Sequence, residues 1–300
     1  MRIAPTGESL GAVVSEIDLS DPLAEADFNR ILRALGEYGV LRFPGQAIDP
    51  AALRALSSRF GSLLAAKNTA LSEPGMPDVS ILSNVVENGR NIGLPDAGQD
   101  WHTDMTYSAV PGFVNVLVAL RVPMRDGAPR GATEFTNTQA ACADLPETLR
   151  RRLEGTTATH DLDKYWEHMR REKGSTRPPL TPVQRAALPP VVHPTLLTHP
   201  ITGRPVIYVN PGFTTRINEL PEAESDAVLA GLFEHILLPK YRYVHRWAVG
   251  DVLLWDHLGT WHYAVPDYRP DEHRLMKRCQ VLADRIFDPD FQRRHLGLAA

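Results

Sequence analysis

Trp101-His102-Thr103-Asp104 holds the first candidates for chemistry in this sequence, because it sets an imidazole and a carboxylate two residues apart. On a strand, residues i and i+2 project from one face, so the two groups are aimed at one point. His262 lies far downstream, with Arg274 twelve residues after it, in a run that alternates apolar and polar residues like a buried strand and its return. Two neutral imidazoles and one carboxylate suit iron(II). Three ligands on one face of an octahedron leave the other positions free for an organic chelate and dioxygen.

Other metal chemistries fit less well. A cupin-style site wants His-x-His and a zinc protease wants His-Glu-x-x-His on a helix, and neither spacing occurs here. Asp104 argues against an iron halogenase of this general type, which needs the carboxylate position vacant for halide. A carboxylate predicts oxygen insertion or a related oxidation. Cys142 and Cys279 are the only cysteines and form no Cys-x-x-Cys pair, so neither a disulfide framework nor a zinc knuckle is indicated.

Three stretches carry a more specific likeness: Trp101-His102-Thr103-Asp104-Met105-Thr106-Tyr107, Asn210-Pro211-Gly212-Phe213-Thr214-Thr215-Arg216-Ile217, and Trp255-Asp256-His257-Leu258-Gly259-Thr260-Trp261-His262-Tyr263-Ala264. In this order the chain resembles the taurine dioxygenase family of iron(II), 2-oxoglutarate-dependent oxygenases, from the Gly11-Ala12-Val13 region to about Asp284. The resemblance implies iron(II) held by His102, Asp104 and His262, with 2-oxoglutarate and dioxygen as co-substrates. It also implies that Arg274 and Thr133 hold the distal carboxylate of 2-oxoglutarate. A planar guanidinium suits that task because its fork of donors matches a carboxylate in a bidentate way.

Arg278 follows Arg274 by four residues and shares its face if the segment is a strand. The resemblance makes it a receptor for an anionic group on the substrate, set against a buried ion pair within the fold. Departures from the taurine pattern point away from taurine itself. Gly98 stands where those enzymes have an asparagine and Leu162 where they have a phenylalanine, whereas Phe213 is retained. No histidine precedes His102, so the loop Ala65-Ala66-Lys67-Asn68-Thr69 lacks the sulfonate-facing histidine. Lys67 or Asn68 could take over that role, set against a solvated loop lysine. The expected reaction is hydroxylation of a C–H bond in a small anionic organic substrate, with release of succinate and carbon dioxide. Desaturation, cyclisation or fragmentation in natural-product synthesis is the alternative, and a ligand-binding relative without turnover a further one.

The elements that must position these residues follow from patterning. With 300 residues, 43% hydrophobic and 23% charged, the chain can bury a sizeable core, and it reads as one domain over residues 1–300. A formal charge of −4 gives no field to draw nucleic acid or a membrane surface. No stretch approaches the roughly 18 apolar residues of a spanning helix, and no signal peptide opens the chain, so a cytoplasmic location is expected. A homo-oligomer is expected from the family. Strands are predicted at 10–19, 40–43, 79–84, 114–120, 205–210, 241–247 and 252–255, with helices from Asp21 to Leu35, from Asp49, from Thr138 to Leu153 and from Glu222 to Ile236. Antiparallel strands with long crossings imply a mainly β fold with flanking helices and a double-stranded β-helix, or jelly-roll, core. The segments near 64–100 and 161–194 are expected to form lids.

Overall fold

The Gly112–Arg121 strand lies at the centre of the architecture, and its first eight residues are all buried. The computed structural model of the chain describes residues 1–66, 69–175 and 177–297. In it an eight-stranded sheet runs in the order Arg2–Pro5, Ala12–Ser15, Val40–Phe43, Val252–Asp256, Gly112–Arg121, Leu275–Leu282, Met76–Ser83 and Ser72–Glu73. Facing it is a three-stranded sheet of Arg242–His245, Thr133–Asn137 and Thr260–Ala264. This pairing of antiparallel sheets is the jelly roll expected from the strand pattern.

A continuous apolar run means that both faces of a strand are covered, and here each face has a different partner. Val114, Val116, Val118, Leu254, Cys279 and Val281 pack under the helices Glu25–Tyr38, Pro50–Ser58 and Pro289–Leu296. Leu117, Ala119, Leu253, Trp255 and Met276 face the interior, with Phe135 of the smaller sheet. Each fully buried aliphatic side chain of this kind contributes roughly 1.5–3 kcal/mol, so the interleaved layers fix register as well as fold. In that register Asn115 is opposite Trp255 on one side and Gln280 on the other.

Local chemistry accounts for most element boundaries. Asp49 caps the Pro50–Ser58 helix by accepting from the Ala52 amide at 2.8 Å, with Pro50 in the first turn where a missing N–H is harmless. The first helix starts later than expected, at Glu25, and runs on to Tyr38 before Gly39 turns out of it at φ 67°. The helix expected from Thr138 to Leu153 is two, Thr138–Ala143 and Glu147–Leu153, because Pro146 disfavours helical backbone at Leu145.

The two expected lid spans are only partly irregular. Within 64–100, Met76–Ser83 is a full strand of the large sheet, paired with Leu275–Leu282, so it cannot belong to a moving cover. Residues 84–100 contain a small hairpin, Val86–Glu87 with Arg90–Asn91. Within 161–194 are the helices Leu162–Glu172 and Pro182–Ala187. Lys67 and Asn68, named above as alternative donors, lie outside the described residues. Among the described residues no helix is long and apolar enough to cross a membrane.

Candidate active site

His262 stands in the Thr260–Ala264 strand, opposite Phe135. His102 joins it through a reciprocal bridge: the His102 amide donates to the His262 carbonyl at 3.1 Å and the His262 amide to the His102 carbonyl at 2.8 Å. The two imidazole centroids are 4.2 Å apart. Asp104 then arrives by a different route from the one its spacing predicts. Residues after His102 form a turn, not a strand, with Met105 at φ 66° and the Ser108 amide donating to the Met105 carbonyl. Thr103 points away and donates to the His257 carbonyl at 2.7 Å, so His102 and Asp104 still share one side.

One ligand atom from each of His102, Asp104 and His262 lies within 4.8 Å of the others, the one such cluster among the described residues. His102 Nδ1 is 2.7 Å from the Asp100 carbonyl, which can only accept, so Nδ1 donates there and Nε2 is the nitrogen turned to the cluster. Nε2 faces Asp104 Oδ1 at 3.3 Å, and His262 Nε2 faces Asp104 Oδ2 at 3.9 Å. Burial alone would raise the Asp104 pKa, but the Arg278 guanidinium holds it well below the usual carboxylate range. Burial, with His102 adding to it against the pull of Asp104, pushes the His262 pKa well below that of a free imidazole. An unprotonated imidazole directed at an ionised carboxylate is repulsive until a cation sits between them, and this donor set therefore fits a divalent metal.

A narrow cavity opens beside the cluster, lined by Thr133, Trp255, His262, Arg274 and Arg278 with Leu117. Arg274 is buried and its Nε has no partner, and among the described residues no carboxylate pairs with it. Its backbone is clamped, the amide donating to Asn84 Oδ1 and the carbonyl accepting from Ser83 Oγ. Thr133 Oγ1 accepts from Trp247 Nε1 at 3.0 Å, which leaves the threonine's own hydrogen free to donate. Arg278, on the same face of its strand, reaches Asp104 Oδ2 at 3.4 Å.

Gly98 passes close to the first imidazole: a Cβ there would be 3.4 Å from His102 Cε1, and the backbone is left-handed at φ 74°. Asparagine is among the few side chains that adopt that conformation readily, so the position is compatible with either residue. Phe213 and Leu162 belong to an apolar cluster with Tyr107, Tyr165 and Met169. Tyr165, on the Leu162–Glu172 helix, brings its ring 5.4 Å from His102 and 5.0 Å from Phe213. Burial, with Asp104 adding to it, raises the phenol of Tyr165 and pushes that of Tyr107 to about 12, so both are neutral.

The geometry thus brings together nine of the residues singled out from sequence, in two groups around His102; Lys67 and Asn68 lie outside the described residues. Four further participants were not singled out: Asn115, His257, Tyr165 and Asp100. Asn115 had a legible signal, as a lone amide in an apolar strand. Asp100 acts through a backbone carbonyl, which no side-chain pattern reveals.

The chain is similar to known proteins over most of its length. A family model described as taurine catabolism dioxygenase TauD, TfdA family matches residues 2–280. Pentalenolactone F synthase of Streptomyces avermitilis is 32% identical over 295 residues, covering 94% of this chain and 94% of that protein. The alpha-ketoglutarate-dependent 2,4-dichlorophenoxyacetate dioxygenase of Cupriavidus pinatubonensis is 30% identical over 292 residues, covering 94% of this chain and 98% of its own length. A taurine dioxygenase from Burkholderia xenovorans superposes with a TM-score of 0.76 at 26% identity, over 96% of this chain and 91% of that one. A likeness that spans both full lengths, in sequence and in fold, places this chain in the TauD/TfdA family of dioxygenases.

Proposed function

We propose that the protein is a 2-oxoglutarate-dependent non-haem iron dioxygenase that oxidises a C–H bond of a small organic anion, with His102, Asp104 and His262 as the iron ligands. The observation that carries this reading is a buried guanidinium without a counter-ion, Arg274, in the same cavity as three convergent metal donors. An uncompensated buried charge is costly, and a dicarboxylate spanning from metal to arginine would relieve it.

Iron(II), when bound, would supply the dioxygen chemistry that couples decarboxylation of 2-oxoglutarate to oxidation of the substrate. The protein's own groups prepare that chemistry. The Asp100 carbonyl holds the proton of His102 on Nδ1, so Nε2 stays available as a ligand. Arg278 keeps Asp104 ionised, and the free hydroxyl hydrogen of Thr133 together with the Arg274 fork would hold the distal carboxylate. Leu82, Leu117 and Trp255 keep the surrounding wall apolar, which strengthens each of these polar contacts.

For the substrate, the cluster of Leu162, Phe213, Tyr107 and Tyr165 supports an apolar body; Arg278 makes the ion pair with Asp104 that the alternative reading expected, but it also lines the cavity with Nε unpartnered, which supports an anionic group. Gly98 would leave room beside His102. A carboxylate attached to a ring, as in the 2,4-dichlorophenoxyacetate named for one relative, fits this combination better than taurine does. The similarity to pentalenolactone F synthase favours a second reading, in which the same ligands drive desaturation, ring closure or fragmentation. Product mass separates the two: one added oxygen supports hydroxylation, and loss of two hydrogens supports desaturation or cyclisation.

The test is anaerobic addition of iron(II) and 2-oxoglutarate to the purified protein, followed by visible absorption. A weak charge-transfer band that is lost in Arg274→Ala supports the assignment. Absence of the band in folded, metal-replete protein sinks the catalytic reading.

A further inference from the structure

Within the buried run of the Gly112–Arg121 strand there is one polar side chain, Asn115, and it is completely buried. Val114 and Val116 on either side face the helices, while Asn115 faces inward between the Trp255 and Gln280 strands. A carboxamide in such a place must surrender its hydration at both ends, so a purely structural amide is expected to be bonded at both. This one is not. Nδ2 donates to Asp104 Oδ2 at 3.1 Å, and Oδ1 has no partner among the described residues.

The groups around Asp104 treat its two oxygens differently. Oδ2 receives Asn115 Nδ2 at 3.1 Å and Arg278 Nη1 at 3.4 Å, with His257 Nε2 3.8 Å and His262 Nε2 3.9 Å away. Oδ1 faces His102 Nε2 at 3.3 Å and is reached by neither Asn115 nor Arg278. The two donors to Oδ2 also differ in kind. Arg278 sits on a long stem that lines the cavity, whereas Asn115 is short and locked between two strands.

We infer that Asn115 is a positioning residue, which holds Asp104 Oδ2 and so fixes the orientation in which the carboxylate meets the two imidazoles. This deepens the iron-site reading above and rests on it. Its physical content is that Asp104 keeps one fixed orientation toward the metal, which a carboxylate on a turn would not hold by itself. Partners that orient a ligand in this way are worth about 10–100-fold in metal affinity.

The experiment uses Mn(II) as the probe, under anaerobic conditions, with affinity from calorimetry and the ion's EPR line shape as a second readout. Asn115→Leu keeps the volume and removes the donor. The expected result is a metal-free protein that melts at or above the wild-type temperature, because an apolar group replaces a half-bonded buried amide. Its affinity for Mn(II) should be weaker by about tenfold or more, with a broadened EPR signal from a less defined ligand set. An Asn115→Leu protein that is folded and binds Mn(II) within twofold of wild type overturns the inference. So does a variant that loses apo stability while keeping Mn(II) affinity, since that is a structural role. If Asn115→Leu does not fold, Asn115→Ser, too short to reach Asp104, carries the same comparison and is judged by the same two outcomes. Wild type and His102→Ala are run beside it. If these two bind Mn(II) equally, the metal-site reading fails, independently of anything Asn115 does.

Discussion

The two walls that meet at His102 are built on opposite principles. On the inner wall, His262, Asn115 and Arg278 project from paired strands and Arg274 stands one residue before the last of these; the four are buried or nearly so and include nitrogens with no partner at all among the described residues. On the outer wall, residues 96–100 and the Leu162–Glu172 helix with the loop after it are tied by polar contacts that solvent reaches. Asp100 pairs with His168 at 2.5 Å and Lys173 at 3.6 Å, and Asp96 pairs with Arg177 at 2.8 Å and Ser175 at 2.5 Å. Unsatisfied groups mark the inner wall, and satisfied, exposed ones the outer. The difference teaches that charge in a static structure has to be read with its partners: the buried Arg274, with no carboxylate beside it, is the candidate for a ligand, and the paired Arg177 ties one segment to another.

The largest effects should come from breaking the inner wall. Asp104→Ala is expected to abolish turnover and stoichiometric metal binding while the far-ultraviolet circular dichroism stays as in wild type; full activity in that variant would refute the ligand assignment. Arg274→Ala removes a charge-assisted fork worth about 3 kcal/mol, which corresponds to a rise of roughly 100-fold in the 2-oxoglutarate concentration needed for half-maximal rate. Metal affinity should not move. A parallel loss of both would mean that Arg274 supports the fold and not the co-substrate.

Acid sharpens the contrast, because burial converts protonation into stability. His160, at the end of the strand that leads into the Leu162–Glu172 helix, is buried with Nε2 unpaired, and burial, helped by His193 and Lys164, pushes its pKa down to about 3. The unfolded chain takes up that proton near the ordinary imidazole pKa, and the folded protein does not until far lower pH. Stability therefore falls as pH drops from about 6.5 toward 3, by about 1.4 kcal/mol per pH unit for this group. Urea unfolding of metal-free protein at a series of pH values measures the slope. His160→Gln should flatten it by one proton's worth, and an unchanged slope would show that other groups dominate.

How much of this was legible beforehand varies with the kind of information. His102, Asp104 and His262 were singled out by residue type and spacing and Arg274 by the family resemblance, and the structure places the four around one cavity. Yet the route by which Asp104 reaches the site could not be read: alternation on a strand predicts the same side for the wrong reason, and only the left-handed Met105 shows the turn. The jelly roll was readable from apolar strands, whereas the break at Pro146 shows a local steric rule overriding a periodic pattern. Asn115 was hidden by the success of the strand assignment around it, which absorbed one amide into an apolar run. The pairs that tie residues 96–100 to the Leu162–Glu172 helix and the loop after it join residues about seventy to eighty positions apart, such as Asp96 with Arg177, and no local signal links them.

That fastening gives the smallest expected effect. Arg177 and Asp96 side chains are 16% and 23% exposed, and the pair belongs to the class of partly solvated ion pairs that contribute roughly 0.2–1 kcal/mol. Asp96→Asn should leave metal affinity and the melting temperature nearly unchanged, and raise the apparent KM for substrate by no more than about fivefold, the equivalent of that energy. Salt is the sharper probe. If the pair helps hold the outer wall closed, raising ionic strength should increase the wild-type KM toward that of the variant, since screening shortens to about 3 Å at 1 M salt, and should change the variant less. If Asp96→Asn instead behaved like Asp104→Ala, with metal binding lost, the division between the two walls would be wrong, and the loop before His102 would support the metal frame through more than the Asp100 carbonyl that already meets His102 Nδ1.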